Sequence, residues 1–208
     1  MVCIAIAEWG NRFLFQCIKG LPIAMLLIML GPVAASDAMQ PVRRLRMAGL
    51  VASLGGGVIL ETSFSAGTVV FALAQLCYCL SLPWRTVSMR SLLISGTFAL
   101  VLYLAVVSLI VPGITDAWPP LILFYGAIES LVLAGALASL RASRRIGSPE
   151  FMAAGICLFV LSDSILAVDR WHTPIPGAVL MVQAAYFAGQ FLIASSVLPR
   201  ALPQTQER

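Results

Sequence analysis

Three carboxylic acids stand inside or at the edge of long apolar stretches of this chain: Glu61, Glu129 and Asp163. An ionisable side chain in a bilayer-spanning helix costs about 2.5–3.5 kcal/mol by insertion scales, so each is a candidate for function, with acid–base work the chemistry such groups offer. Asp163 lies within Phe159-Val160-Leu161-Ser162-Asp163-Ser164-Ile165-Leu166, where its carboxyl must find a partner or keep a proton. Glu129 follows Tyr125 by four residues and shares a helix face with it. Glu61 falls near a helix end, where snorkelling to water is a sufficient alternative explanation. Two polar stripes recur at helical spacing: Gln75 with Tyr78, and Gln183, Tyr186 and Gln190. Hydrogen bonding between helices accounts for such stripes as readily as a polar pathway does, at about 0.6 kcal/mol per contact.

The elements that must position these groups follow from composition. Of 208 residues, 60% are hydrophobic and 11% charged, with a mean hydropathy of +0.97. Soluble domains carry about 25% charged residues, so an ordinary soluble globule is excluded. Seven apolar runs, roughly 21–35, 46–61, 65–83, 91–111, 119–140, 151–168 and 176–198, are each long enough to cross the hydrocarbon. They lack the period-two alternation of barrel strands, so they are helices. The expected fold is therefore an all-α polytopic transmembrane bundle, one membrane-embedded domain over 1–208. Residues 1–18 form an interfacial helix or a partial eighth span, and 199–208 a tail. Lys19 ahead of an apolar run ending Val33-Ala34-Ala35 also fits a cleavable leader. The cluster Arg43, Arg44, Arg46 just beyond it resists translocation and argues against that reading.

Alternating the connections between two sides gathers ten of the thirteen basic residues on one of them, leaving Arg12, Lys19 and Arg170 opposite. The loops 36–45, 84–90 and 141–150 and the C-terminus are then expected in the cytoplasm, with 62–64, 112–118 and 169–175 outside. A net charge of +4, spread along the chain, gives no basis for nucleic-acid binding. The five cysteines, Cys3, Cys17, Cys77, Cys79 and Cys157, show no metal-ligand spacing and read as small buried apolar residues. With a single histidine, His172, no zinc hydrolase site can be assembled, and no motif implies a cofactor. Gly49, Ser53 and Gly57 recur every fourth residue, a small-residue face for close helix packing.

The segment Ala154-Gly155-Ile156-Cys157-Leu158-Phe159-Val160-Leu161-Ser162-Asp163-Ser164-Ile165-Leu166-Ala167, with Tyr186-Phe187-Ala188-Gly189-Gln190-Phe191-Leu192-Ile193, resembles the YhhN-like lysoplasmalogenase family. Lys19-Gly20-Leu21-Pro22, Ala48 to Ser53 and Phe71 to Tyr78 extend the likeness over about residues 19–198. The resemblance implies a membrane protein of about eight helices that hydrolyses the vinyl ether bond of lysoplasmalogens, releasing a fatty aldehyde and glycerophospho-ethanolamine or -choline. It implies two intramembrane aspartates; Asp163 matches the second, whereas the first is replaced by Gly57, and Gln75 stands where the family has a histidine.

Vinyl ether hydrolysis needs an acid to protonate the alkenyl carbon and a second group to stabilise the resulting oxocarbenium ion and activate water, as two carboxyls do in glycoside hydrolysis. With Gly57 in place of an aspartate, Asp163 is expected to be the acid and Glu61 or Glu129 the second carboxyl. Glu61 is favoured because it lies one turn beyond Gly57 on the same face. Lys19 at an outer helix end is placed to meet a lipid phosphate, and Gln75, Tyr78, Tyr125, Tyr186 and Gln190 to line the substrate site. The expected partners are an ether lysolipid and the bilayer, and the expected location a bacterial inner membrane. Two other readings use the same residues: a small transporter or channel with a polar path, and a catalytically inactive family member that binds lipid.

Overall fold

The computed structural model of the protein describes residues 21–28, 30, 39–114, 119–142 and 147–198. The N-terminal segment 1–18, Lys19 and the tail 199–208 lie outside the described residues. What is described is all-helical. Residues 21–28 form α1, followed by α2 (Gln40–Leu60), α3 (Phe64–Leu80), α4 (Met89–Ile110), α5 (Pro119–Ser139), α6 (Pro149–Trp171) and α7 (Ala178–Ser195).

The helix boundaries follow local chemistry. The Ser63 side chain caps α3 by accepting from Ala66 N at 3.3 Å, and Ser88 caps α4 by accepting from Ser91 N at 3.2 Å. Pro41 and Pro149 occupy first-turn positions of α2 and α6, where a missing N–H costs nothing. Gly147, at φ 69°, carries the chain into α6 in a backbone conformation that disfavours side chains, and a Cβ there would strike the Ser196 carbonyl.

Four helical segments are long and apolar enough to cross a membrane: Met89–Gly113, Pro119–Ser139, Pro149–Trp171 and Ala178–Ser195. Helix α3 is apolar but only 17 residues long. The outward faces carry large exposed apolar side chains, among them Leu73, Leu80, Phe98 and Leu180. A continuous exposed apolar surface of this kind requires lipid around it, and the protein is an integral membrane protein.

Two expectations are corrected here. Arg43 and Arg44 do not sit in a loop over 36–45 before the second apolar segment; they lie with Arg46 within α2, which begins at Gln40. Arg46 is almost fully buried, its Nη1 donating to Ser196 Oγ at 2.6 Å and its Nε to Ser81 Oγ at 3.3 Å. The guanidinium thereby ties the first turns of α2 to the last turns of α3 and α7. The described cysteines are not buried either: Cys77 and Cys79 are half-buried and Cys157 is exposed on the outward face of α6.

Helices α2 with α3, α6 with α7 and α4 with α5 form the main packed pairs, and α3 and α6 both pack on α5. Gly155 and Gly189 let α6 and α7 approach backbone to backbone, since a Cβ on either would meet the other's carbonyl oxygen. Gly49 and Ser53 face α3 as their spacing predicts, Gly49 accommodating the Tyr78 ring and Ser53 lying 3.3 Å from the Tyr78 hydroxyl. Gly57, the third residue of that stripe, opens instead onto a cavity.

Candidate active site

The cavity has a volume of about 160 Å³ and is enclosed by α2 to α7, with Ile23 of α1 also contributing. Its wall is mostly apolar, supplied by residues such as Leu54, Leu102, Val106, Leu166 and Phe187. Phe71, Phe159 and Tyr186 pack edge to face, with ring centroids 5.6–6.0 Å apart, and stiffen one side. A water molecule needs about 10–15 Å³ of such space, so the cavity admits an acyl-type chain segment together with water.

Polar groups enter this apolar space from several helices, and those of two neighbouring ones meet. Helix α5 presents Tyr125 and Glu129, one turn apart, and α6 presents Ser162 and Asp163. The Tyr125 hydroxyl donates a hydrogen bond to Asp163 Oδ2. Glu129 is buried within coulombic range of Asp163, and its Oε1 has no hydrogen-bond partner among the described residues. Ser162 turns away, donating to the Val182 carbonyl at 3.1 Å and fixing α6 against α7. The two carboxyls and the phenol therefore form one cluster, Asp163 half-buried because it opens into the cavity and Glu129 buried behind it.

Gln75 on α3 lies beside Tyr125 but makes no hydrogen bond of normal geometry; both ends of its fully buried amide are unpartnered among the described residues. Tyr78 and Gln190 belong to a different cluster. The Tyr78 hydroxyl donates to Gln190 Oε1 at 2.7 Å and meets Ser53 Oγ, while the Tyr186 hydroxyl donates to the Ser53 carbonyl at 3.0 Å. Tyr186 nevertheless lines the cavity with one edge, as does Gln183. Glu61 caps the end of α2, exposed at the cavity rim, and is not the carboxyl set beside the Tyr125–Asp163 pair. Lys19 lies outside the described residues.

Of the candidates read from the sequence, the fold brings Asp163, Glu129 and Tyr125 together. Sequence reasoning missed Tyr103, which lines the cavity and donates to the Leu123 carbonyl at 3.0 Å, and the rim pair Phe64 and Trp171, whose rings meet edge to face at 5.3 Å. Lone aromatics in apolar runs carry no distinguishing signal. Arg46 did carry one: it continues the Gly49, Ser53, Gly57 stripe by one turn and so had to face the bundle interior.

A helical bundle with apolar outward faces, and with the neighbouring carboxyls of Glu129 and Asp163 at one mostly apolar cavity, defines a polytopic membrane protein. The chain belongs to the YhhN family, whose family model matches residues 14–197. It is similar to the bovine (Bos taurus) lysoplasmalogenase TMEM86A, 27% identical over 161 residues covering 74% of this chain and 65% of the relative. The pig (Sus scrofa) lysoplasmalogenase TMEM86B is 30% identical over 212 residues, 92% of this chain and 87% of that protein. The human (Homo sapiens) lysoplasmalogenase TMEM86B is 43% identical over a shorter stretch of 51 residues, 24% of this chain and 23% of that protein. The match therefore spans just under two thirds of the bovine relative's length and under a quarter of the human one's. No solved structure matches the chain.

Proposed function

We propose that the protein is a lysoplasmalogenase, hydrolysing the vinyl ether bond of a lysoplasmalogen to a fatty aldehyde and a glycerophospho-ethanolamine or -choline. The observation that carries this reading is the buried pair Asp163 and Glu129, with Tyr125 bonded to the aspartate, inside an apolar cavity. The names of the related proteins support the substrate class.

Tyr125 donates to Asp163, which makes Asp163 the acceptor and assigns it the carboxylate role; Glu129, buried without a partner on Oε1, is assigned the proton. Glu129 delivers that proton to the alkenyl carbon remote from the ether oxygen, leaving an oxocarbenium ion across the adjacent carbon and the oxygen. The Asp163 carboxylate stabilises the cation and takes a proton from the water that attacks the same carbon. The hemiacetal so formed collapses: its carbon–oxygen bond to the glycerol breaks as Asp163 returns its proton to the glycerol oxygen, the hemiacetal hydroxyl gives its proton to Glu129, and aldehyde and alcohol separate with both carboxyls restored. Overall one water is consumed and no redox change occurs. These roles exchange those expected from the sequence, where Asp163 is the acid, and they replace Glu61 by Glu129 as its companion.

The same reading takes the chain as one membrane-embedded unit over 1–208 with seven spans. It keeps the arginine-rich end of the bundle and the C-terminus in the cytoplasm of a bacterial inner membrane. The test is aldehyde release from lysoplasmenyl-ethanolamine and -choline by purified protein in detergent, beside Asp163→Asn, Glu129→Gln and Glu61→Gln. Loss of turnover with the first two variants alone supports the pair. A folded protein that binds the lipid without releasing aldehyde overturns the hydrolase reading in favour of lipid binding, and solute flux across liposomes would favour transport.

A further inference from the structure

Helix α6 lines the cavity along one stripe, Asp163, Leu166, Ala167 and Trp171. Arg170 stands seven residues after Asp163, and seven residues of helix turn through about two full turns and advance about 10.5 Å, so the two project from one face. At that end of the bundle the Arg170 guanidinium lies 4.3 Å from the centroid of the Phe64 ring and 5.5 Å from that of Trp171, and both rings line the cavity rim. The guanidinium carbon thus lies over the Phe64 ring with the Trp171 ring beside it, and these ring contacts are the interactions that hold Arg170 among the described residues. The rim therefore holds a pre-oriented cation whose donors match a phosphate.

We infer that Arg170, held on the Phe64 and Trp171 rings, binds the phosphate of the lysolipid and sets how deeply its vinyl ether enters the cavity. The inference rests on the lysoplasmalogenase reading above. From the alkenyl carbon that is protonated to the phosphorus there are seven bonds, on the order of 8 Å at roughly 1.2 Å per bond in an extended chain. Adding one hydrogen-bond length at the phosphate end gives a span close to the rise between Asp163 and Arg170. A phosphate on Arg170 thus delivers the vinyl ether to the level of the carboxyl pair, with the hydrocarbon tail continuing into the apolar part of the cavity.

The test compares two substrates that differ only in the phosphate: lysoplasmenyl-ethanolamine and the corresponding 1-alkenylglycerol, presented in a phosphate-free detergent. Wild type is expected to prefer the phospholipid, and Arg170→Gln to lower the kcat/KM ratio between the two by about tenfold or more, the equivalent of one charge-assisted hydrogen bond. Most of the change should lie in KM, with Arg170→Lys recovering part of it. Equal losses on both substrates would reduce Arg170 to a packing residue or a contact to bulk lipid headgroups and overturn the inference, as would no change on either. Equilibrium binding of the non-cleavable alkyl analogues, with and without phosphate, supplies a readout independent of turnover. If wild type releases no aldehyde, the hydrolase reading fails, while a phosphate preference in binding that Arg170→Gln abolishes still upholds the site.

Discussion

Two buried polar clusters lie within the same bundle, and they differ in how completely their hydrogen bonds are met. Toward the arginine-rich end, Arg46 bonds Ser81 and Ser196, and Tyr78 joins Ser53 to Gln190, with Tyr186 on the Ser53 carbonyl. Of these side chains, the Gln190 amide nitrogen lacks a partner among the described residues. At the cavity, Tyr125 and Asp163 bond each other, but Glu129 Oε1 has no partner among the described residues, and the Gln75 amide, set back beside Tyr125, makes no hydrogen bond of normal geometry. A satisfied network fixes helices in register, whereas one with open valences beside a cavity is prepared for something that arrives later, substrate or water. Polarity within a membrane helix does not by itself mark a site; unmet hydrogen-bonding capacity next to free volume does.

The largest effects should come from the cavity cluster. Asp163→Asn and Glu129→Gln are each expected to lower aldehyde release by about 10³-fold, within the usual range for removing an acid or base. Thermal unfolding in detergent should shift little or upward, because each change removes a buried ionisable group that the surroundings do not fully compensate. A variant that instead loses activity and stability together would merge the two clusters into one structural network and remove the contrast.

Arg46→Ala should do the converse. It deletes two hydrogen bonds to a charged donor and leaves space between α2, α3 and α7, for a loss on the order of 3 kcal/mol in unfolding free energy. Thermal melting of the purified protein reads this, while kcat per folded molecule stays near that of wild type. A large fall in kcat without a change in melting would place Arg46 in the chemistry.

The substitution Gly57→Asp sharpens the comparison from the other side. A Cβ at Gly57 would lie 3.9 Å from the Tyr186 hydroxyl, in ordinary contact, and the residue opens onto the cavity. A carboxyl introduced there reaches the space where the family resemblance expects an aspartate. In a Glu129→Gln background, Gly57→Asp is expected to recover about tenfold of the lost rate, since a second carboxyl again faces Asp163. No recovery, with the protein folded, would mean that Glu129 acts through its position on α5 and that a carboxyl on α2 cannot substitute.

Much of this was legible in the residue pattern. The helical class and four of the seven apolar spans followed from hydropathy, and the Tyr125–Glu129 spacing placed both on one face of α5. Which acid accompanies Asp163 was not legible, because sequence gives the face of each helix but not its neighbour; the choice depends on α5, rather than the end of α2, packing against α6 at that level. How deeply Arg46 is buried was not legible for a related reason. Charge usually marks a connection, but on α2 the hydroxyls of Ser81 and Ser196, 35 and 150 residues away, supply what is needed to bury it. The cysteines erred in the opposite sense, since in a bilayer an apolar residue such as Cys157 is as well placed against lipid as in the core.

The smallest effect separates the two acids that the sequence could not rank. Glu61 sits at the C-terminal cap of α2, exposed at the rim, and Glu129 sits inside. The field of a carboxyl in contact with water is screened before it reaches the reacting bond. Glu61→Gln is therefore expected to change kcat on lysoplasmenyl-ethanolamine by less than about twofold, against the roughly 10³-fold effect of Glu129→Gln. Single-turnover aldehyde release from both variants measures the difference directly. A fall of about a hundredfold or more in Glu61→Gln would show that the α2–α3 turn closes over bound lipid and carries its acid inward, and Glu61 would then displace Glu129 as the companion of Asp163.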